Sequence, residues 1–146
     1  MSEIYRRRRA ALAAVLGPEA ALITRPVNVR YLTGLASSNA AVLVYGDGRE
    51  AVLCTDARYR GTAARLCTDL EIVVERAVAR VLTDRAGREG VRTLGFEGHG
   101  LTWEQHQELY GSPGRLQAVP LSREVEDLRM VKDEAEITML RRACAI

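Results

Sequence analysis

The chain has 146 residues, 47% of them hydrophobic, and a formal net charge of +2. That length suits one ordinary globular domain with a core of its own. The near balance of 21 basic and 19 acidic residues gives no argument for a nucleic-acid partner, and no apolar run is long enough to span a membrane. The three cysteines, Cys54, Cys67 and Cys144, are odd in number and widely spaced, without a C-x-x-C. They read as buried free thiols in a reducing cytoplasm rather than as disulfides or a zinc site.

The first predicted element is a helix from Ser2, a possible cap, to about Leu16, stopped by Gly17 and Pro18. Ile4, Ala11, Leu12 and Val15 form its apolar stripe. The run Arg6 to Arg9 sweeps about a full turn at roughly 3.6 residues per turn. Its four charges therefore cannot share a face, which ranks nucleic-acid binding last and favours a solvated helix start with snorkelling stems.

"AALIT" (20–24) reads as a strand. Pro26 then interrupts, and a short helical turn closes at Gly34. "AAVLVY" and "EAVLC" flank "GDGR", where Asp47-Gly48 signals a hairpin. "TDARYRGTAARL" predicts a helix capped by Thr55 or Asp56, with Tyr59, Ala63 and Leu66 on one face. "LEIVV" predicts a buried strand, and 76–88 a helix with Val78, Val81 and Leu82 inward, ended by Gly90. "TLGF" is a strand, and "LTWEQHQELY" a helix capped by Thr102 and followed by Gly111 and Pro113. "LQAV" is the last strand. Residues 123–130 are helical. A final helix opens with an Asp133–Glu136 capping box and places Ile137, Leu140 and Cys144 on one face. Strands alternating with helices predict an α/β layer with a mixed sheet.

Few of the familiar catalytic patterns are present. There is no P-loop, no G-x-S-x-G and no H-E-x-x-H. "GFEGHG" (95–100) has the wrong glycine spacing for a dinucleotide fingerprint and reads as a loop. His99 and His106 lie near Glu97, Glu104 and Glu108, but the helix and the glycine loop do not make them converge, so a surface role is preferred to a metal site. Trp103 is expected to pack at a helix start, and its exposure would instead indicate an interface. Arg58 and Arg60 flank Tyr59, expected to be a core residue. They are either a solvated face or a clamp for a carboxylate or phosphate, since arginine offers a bidentate fork. Ser37, Ser38 and Asn39 form a polar loop before a buried strand, either a plain connection or substrate-facing.

Taken in order, "NVRYLTGL", "SSNAAVLVYGDG", "TDARY" and "VEDLRMVKDEAEITMLRRACAI" resemble the creatinase/prolidase/aminopeptidase P family of Xaa-Pro peptidases. The resemblance covers nearly the whole chain and is clearest from Ala20 onward. It implies a ribonuclease H-like N-terminal domain over 1–131, a mixed sheet flanked by helices. It also implies that 132–146 begins a linker helix into a catalytic domain beyond Ile146. In the family that second domain binds two metal ions, commonly manganese, and cleaves the bond before proline. None of its ligands maps onto this chain, so no catalytic or metal residue is assigned.

By resemblance the domain is expected to be non-catalytic, and its free thiols make it cytoplasmic. It would build a homodimer and edge the partner subunit's site for proline-containing peptides. The substrate-facing candidates are Ser38 and Asn39, with Arg58 beside them. Tyr31 is expected to pack, and Asn28 and Gly34 to fix a turn. Two alternatives are an inactive peptide- or protein-binding module of the same fold, and the N-terminal domain of a creatinase-like amidohydrolase.

Overall fold

The computed structural model describes residues 2–111, 114 and 116–145. The side chain of Ser2, the expected cap, and the Pro113 stop lie outside what is described, as does Ile146. Helix α1 (Ser2–Val15) leads into strand β1 (Ala20–Ile23), helix α2 (Pro26–Thr33) and the hairpin β2 (Ala40–Tyr45) and β3 (Val52–Thr55). Three crossovers follow: α3 (Arg60–Leu66) to β4 (Glu71–Val74), α4 (Val78–Arg88) to β5 (Thr93–Phe96), and α5 (Trp103–Tyr110) to β6 (Gln117–Pro120). Helices α6 (Glu124–Met130) and α7 (Glu134–Cys144) end the chain.

The six strands form one mixed sheet in the order β4-β3-β2-β1-β5-β6. β2 runs antiparallel to both β1 and β3, while β4, β5 and β6 pair in parallel with β3, β1 and β5. The carboxyl ends of five strands therefore lie along one edge of the sheet. That edge is where α/β proteins commonly gather functional groups.

Strand side chains alternate between two apolar layers, as a period of two requires. Ala21, Ile23, Val42, Val44 and Leu53 face Leu12 of α1, Val29 and Leu32 of α2, Ala63 of α3 and Val125 of α6. Ala20, Leu22, Leu43, Val52 and Cys54 face Val78, Leu82 and Ala86 of α4. Because both faces are covered, β1, β2 and β3 are buried throughout.

Several expectations need correction. β4 is an edge strand, with Glu71 exposed and Ile72 to Val74 half-buried, because only one neighbour pairs with it. Helix α3 starts at Arg60 with no side-chain cap. Thr55 is still in β3, and its hydroxyl is held by the Asn39 carbonyl at 2.8 Å. Asp56 closes a turn instead, its Oδ1 accepting from the Arg58 N–H at 3.0 Å. Cys54 and Cys67 are buried free thiols, but Cys144 is exposed.

The arginine run divides rather than staying solvated. Arg6 and Arg7 pair with Glu3 on the surface. Arg9 is buried, bonded to the Leu32 carbonyl at 2.8 Å and paired with Asp69. Arg8 lies 4.1 Å from the Tyr31 ring centroid and bonds the Tyr31 carbonyl at 3.0 Å. It also pairs with Asp133 and Glu136 of α7. Tyr31 packs as expected and donates to the Leu128 carbonyl at 3.3 Å.

The α7 capping box forms as read, Glu136 N–H to Asp133 at 2.9 Å and Asp133 N–H to Glu136 at 3.1 Å. No residue of α7 is buried. Met139 is 66% exposed and Leu140 51%.

Gly34 ends α2 in the left-handed region at φ 80°, and a Cβ there would sit 2.7 Å from the Tyr5 ring. Alanine would carry the left-handed cost of about 1–2 kcal/mol as well as that contact. Gly34→Ala is thus expected to lower unfolding stability by about 2 kcal/mol in urea titration, and an unchanged midpoint would contradict this role.

Candidate functional site

Two polar clusters occupy the carboxyl edge of the sheet. The first is built around Glu97, which follows β5 and is only 1% exposed. Helix α2 begins with Pro26 at its first turn, and Arg25, its flanking residue, gives no side-chain cap. The start of the helix therefore needs an acceptor from elsewhere. Glu97 Oε2 supplies it, accepting from the N–H groups of Thr24 at 2.7 Å and Arg25 at 2.8 Å. Its Oε1 accepts from Asn28 Nδ2 at 2.6 Å.

Asn28 is fully buried and also donates to Glu126 of α6 at 2.7 Å, while its Oδ1 accepts from Arg129 Nη1 at 3.0 Å. Asn28 thus does more than shape a turn; it bridges α2, β5 and α6. Glu126 further meets Arg25 at 2.9 Å and His99 Nε2 at 3.0 Å. Burial pushes the Glu126 carboxyl up, but the Asn28 amide and the His99 ring outweigh it and hold it down at about 2.

The second cluster lies where β2 begins and β3 and β4 end. It brings together Ser38, Asn39 and Arg58, the three candidates named from the sequence. Asn39 Nδ2 donates to Asp56 Oδ2 at 3.0 Å and to the Arg76 carbonyl at 3.0 Å. Asp56 is buried and receives the Arg58 fork, Nε to Oδ1 at 3.1 Å and Nη2 to Oδ2 at 2.7 Å. Arg58 and Asn39 hold the Asp56 carboxyl well below the usual range. Ser38 Oγ lies 2.9 Å from the Tyr59 hydroxyl, which also accepts from the Ser38 N–H at 3.3 Å. Tyr59 is therefore a half-buried partner of the loop, not a core residue. An open cleft of about 690 Å³ adjoins Asp56, Arg58 and Arg76.

Sequence reasoning missed Glu97, Glu126 and Asp56 as organisers. A helix start with proline and no capping residue was the one signal for Glu97. Trp103 corrects another expectation: it is 74% exposed and stacks on His106 at 5.6 Å with an interplanar angle of 9°. His106 in turn contacts Phe96 and Tyr110. Among the described residues no three histidine, cysteine or acidic side chains could jointly hold a metal ion. The donor set at Glu97, His99 and Glu126 does not fit one, because backbone N–H groups, Asn28 and Arg25 already occupy these carboxylates.

The mixed sheet with a polar carboxyl edge and helices on both faces defines a three-layer α/β domain. The chain belongs to the creatinase/prolidase N-terminal domain family, which it matches over residues 6–131. It is 31% identical over 132 residues to the uncharacterized peptidase YqhT of Bacillus subtilis, covering 90% of this chain and 37% of that protein.

Among solved structures it resembles the N-terminal domain of the cytoplasmic peptidase PepQ from Mycobacterium tuberculosis. There the identity is 46% and the TM-score 0.81, with 84% of this chain and 98% of that one covered. It also resembles an Xaa-Pro dipeptidase from Bacillus anthracis, at 25% identity and a TM-score of 0.80, covering 97% of this chain and 39% of the dipeptidase. The chain thus spans little more than a third of YqhT and of that dipeptidase.

Because the folded Glu126 pKa lies below its ordinary 4.5, this carboxylate stabilises the fold above about pH 4.5 and loses that effect as pH falls toward 2. The stability difference between the wild type and Glu126→Gln is expected to be full above pH 5 and to narrow steadily toward pH 3. A difference independent of pH over that range would contradict the Asn28–Glu126–His99 geometry.

Proposed function

We propose that this chain serves as the non-catalytic N-terminal domain of a metal-dependent Xaa-Pro peptidase, of the aminopeptidase P or prolidase type. It works joined to a catalytic domain through a linker helix that begins with 132–146, with residues 1–131 forming the accessory domain. The observation that carries this reading is the family match over 6–131, with the same fold in a dipeptidase of which it makes up 39%. The exposed apolar face of α7, with Met139 and Leu140, suits a helix that lies against a further domain.

In this reading the catalytic domain carries the two divalent ions of the manganese type, and the protein is a cytoplasmic homodimer. The described residues of this chain offer no fitting donor set, so no chemical step is routed through them. Their contribution is a rigid polar edge. Ser38, Asn39 and Arg58 sit on the carboxyl edge of the sheet with their orientations fixed by Tyr59 and Asp56. Such an edge, brought against the partner subunit's site, would trim the pocket for proline-containing peptides.

One observation favours the second reading, a catalytically inactive peptide- or protein-binding module. The Trp103 indole is exposed and braced by His106, which suits an aromatic contact surface. Both readings are separated by one assay. The full-length protein with manganese is expected to hydrolyse Xaa-Pro dipeptides or Xaa-Pro-led peptides, and the 146-residue chain alone is not. Hydrolysis by the chain alone would overturn the accessory role, and peptide binding without hydrolysis by the full-length protein would favour the binding module.

A further inference from the structure

The cleft beside Asp56 holds cationic donors that the fold leaves unused. Arg58 spends Nε and one edge of Nη2 on Asp56. Its Nη1 has no acceptor among the described residues, although its side chain is 69% exposed. The guanidinium is therefore fixed in direction at one edge and open at the other. Asp56 is fixed in turn by Asn39 Nδ2 and by the Arg58 N–H, so the fork does not rely on a mobile partner. Arg76 lines the same cleft, and its guanidinium makes no hydrogen bond or ion pair among the described residues. Its carbonyl is held by Asn39 at 3.0 Å, which anchors the start of that side chain. Glu75 lines the same cleft and is likewise without an ion pair among the described residues.

We infer that this cleft recognises an organic carboxylate, with the open edge of Arg58 as the fork and Arg76 as the second cation. The ligand class is the α-carboxylate of a short peptide or an aspartate or glutamate side chain. A planar monoanion matches the guanidinium edge. A dianionic phosphate is disfavoured, because Asp56, paired with Arg58, and Glu75 bring two negative charges to the same cleft. Glu75 then acts as the opposing charge that keeps affinity modest. The inference deepens the reading of this edge as substrate-facing, but its test requires no catalysis.

The 146-residue chain is titrated with N-acetylalanine, N-acetylalanine amide and N-acetylaspartate α-amide while the backbone amide signals of Ser38, Asn39, Arg58 and Arg76 are followed by NMR. The acids are expected to bind saturably, and the neutral amide at least about tenfold more weakly, a difference typical of a charge-assisted bond pair. Whichever acid binds more tightly identifies the source of the carboxylate. Arg58→Gln is expected to weaken binding about tenfold and Arg58→Lys to restore less than half of that loss on a logarithmic scale, since lysine lacks the fork. Glu75→Gln is expected to tighten binding. Arg76→Gln, which leaves the Asp56 pair untouched, is expected to weaken it. Equal shifts with acid and amide, or unchanged binding in both Arg58→Gln and Arg76→Gln, would overturn the assignment.

Discussion

A buried carboxylate at the end of β5 holds this domain's polar edge together. Glu97 is almost wholly removed from water, yet it caps a helix that the local sequence leaves without an acceptor. A carboxyl group buried in that position is tolerable only if its oxygens are satisfied. Four donors satisfy them: the Thr24 N–H and hydroxyl and the Arg25 N–H from the chain leading into α2, and the Asn28 amide. Asn28 carries the connection on to Glu126 and Arg129 of α6. One side chain thus fixes where α2 starts, how β5 ends and where α6 lies.

The consequences reach the candidate site through the sheet. With α2 fixed, its end at Gly34 delivers the chain into Leu35 to Asn39 at the amino end of β2. Because β2 is antiparallel to β3, that loop meets the residues leaving β3, and Asn39 finds Asp56. Asp56 then holds Arg58, and Tyr59 holds Ser38. The polar edge is a property of strand order, since residues 38, 56 and 76 are neighbours only because β2, β3 and β4 are adjacent.

Local signals were legible in the sequence where local physics decides. The Asp47-Gly48 hairpin, the Thr102 and Asp133 caps and the helical stripe of α4 all depend on residues within a few positions of each other. The resemblance to the family, read from ordered motifs, is matched over residues 6–131. Most of the misreadings came from partners distant in sequence. Asp56 looked like a helix cap, but its carboxylate is claimed by a turn and by Asn39. Arg9 looked solvated, but Asp69 and the Leu32 carbonyl, far away in sequence, draw it inward. Glu97 looked like part of a glycine loop because nothing near it in sequence announces the helix it caps. Ser38, Asn39 and Arg58 were legible as polar groups, while their convergence on Asp56 required the strand order.

The most direct test of the central claim is a double-mutant cycle between Asn28→Ala and Glu97→Gln, read by urea unfolding of the 146-residue chain. Glutamine at 97 still accepts from the start of α2 but loses the charge that Asn28 serves. A coupling of about 2 kcal/mol between the two sites is predicted, whereas effects that add within about 0.5 kcal/mol would mean that the two residues act independently and that the edge is organised by something else.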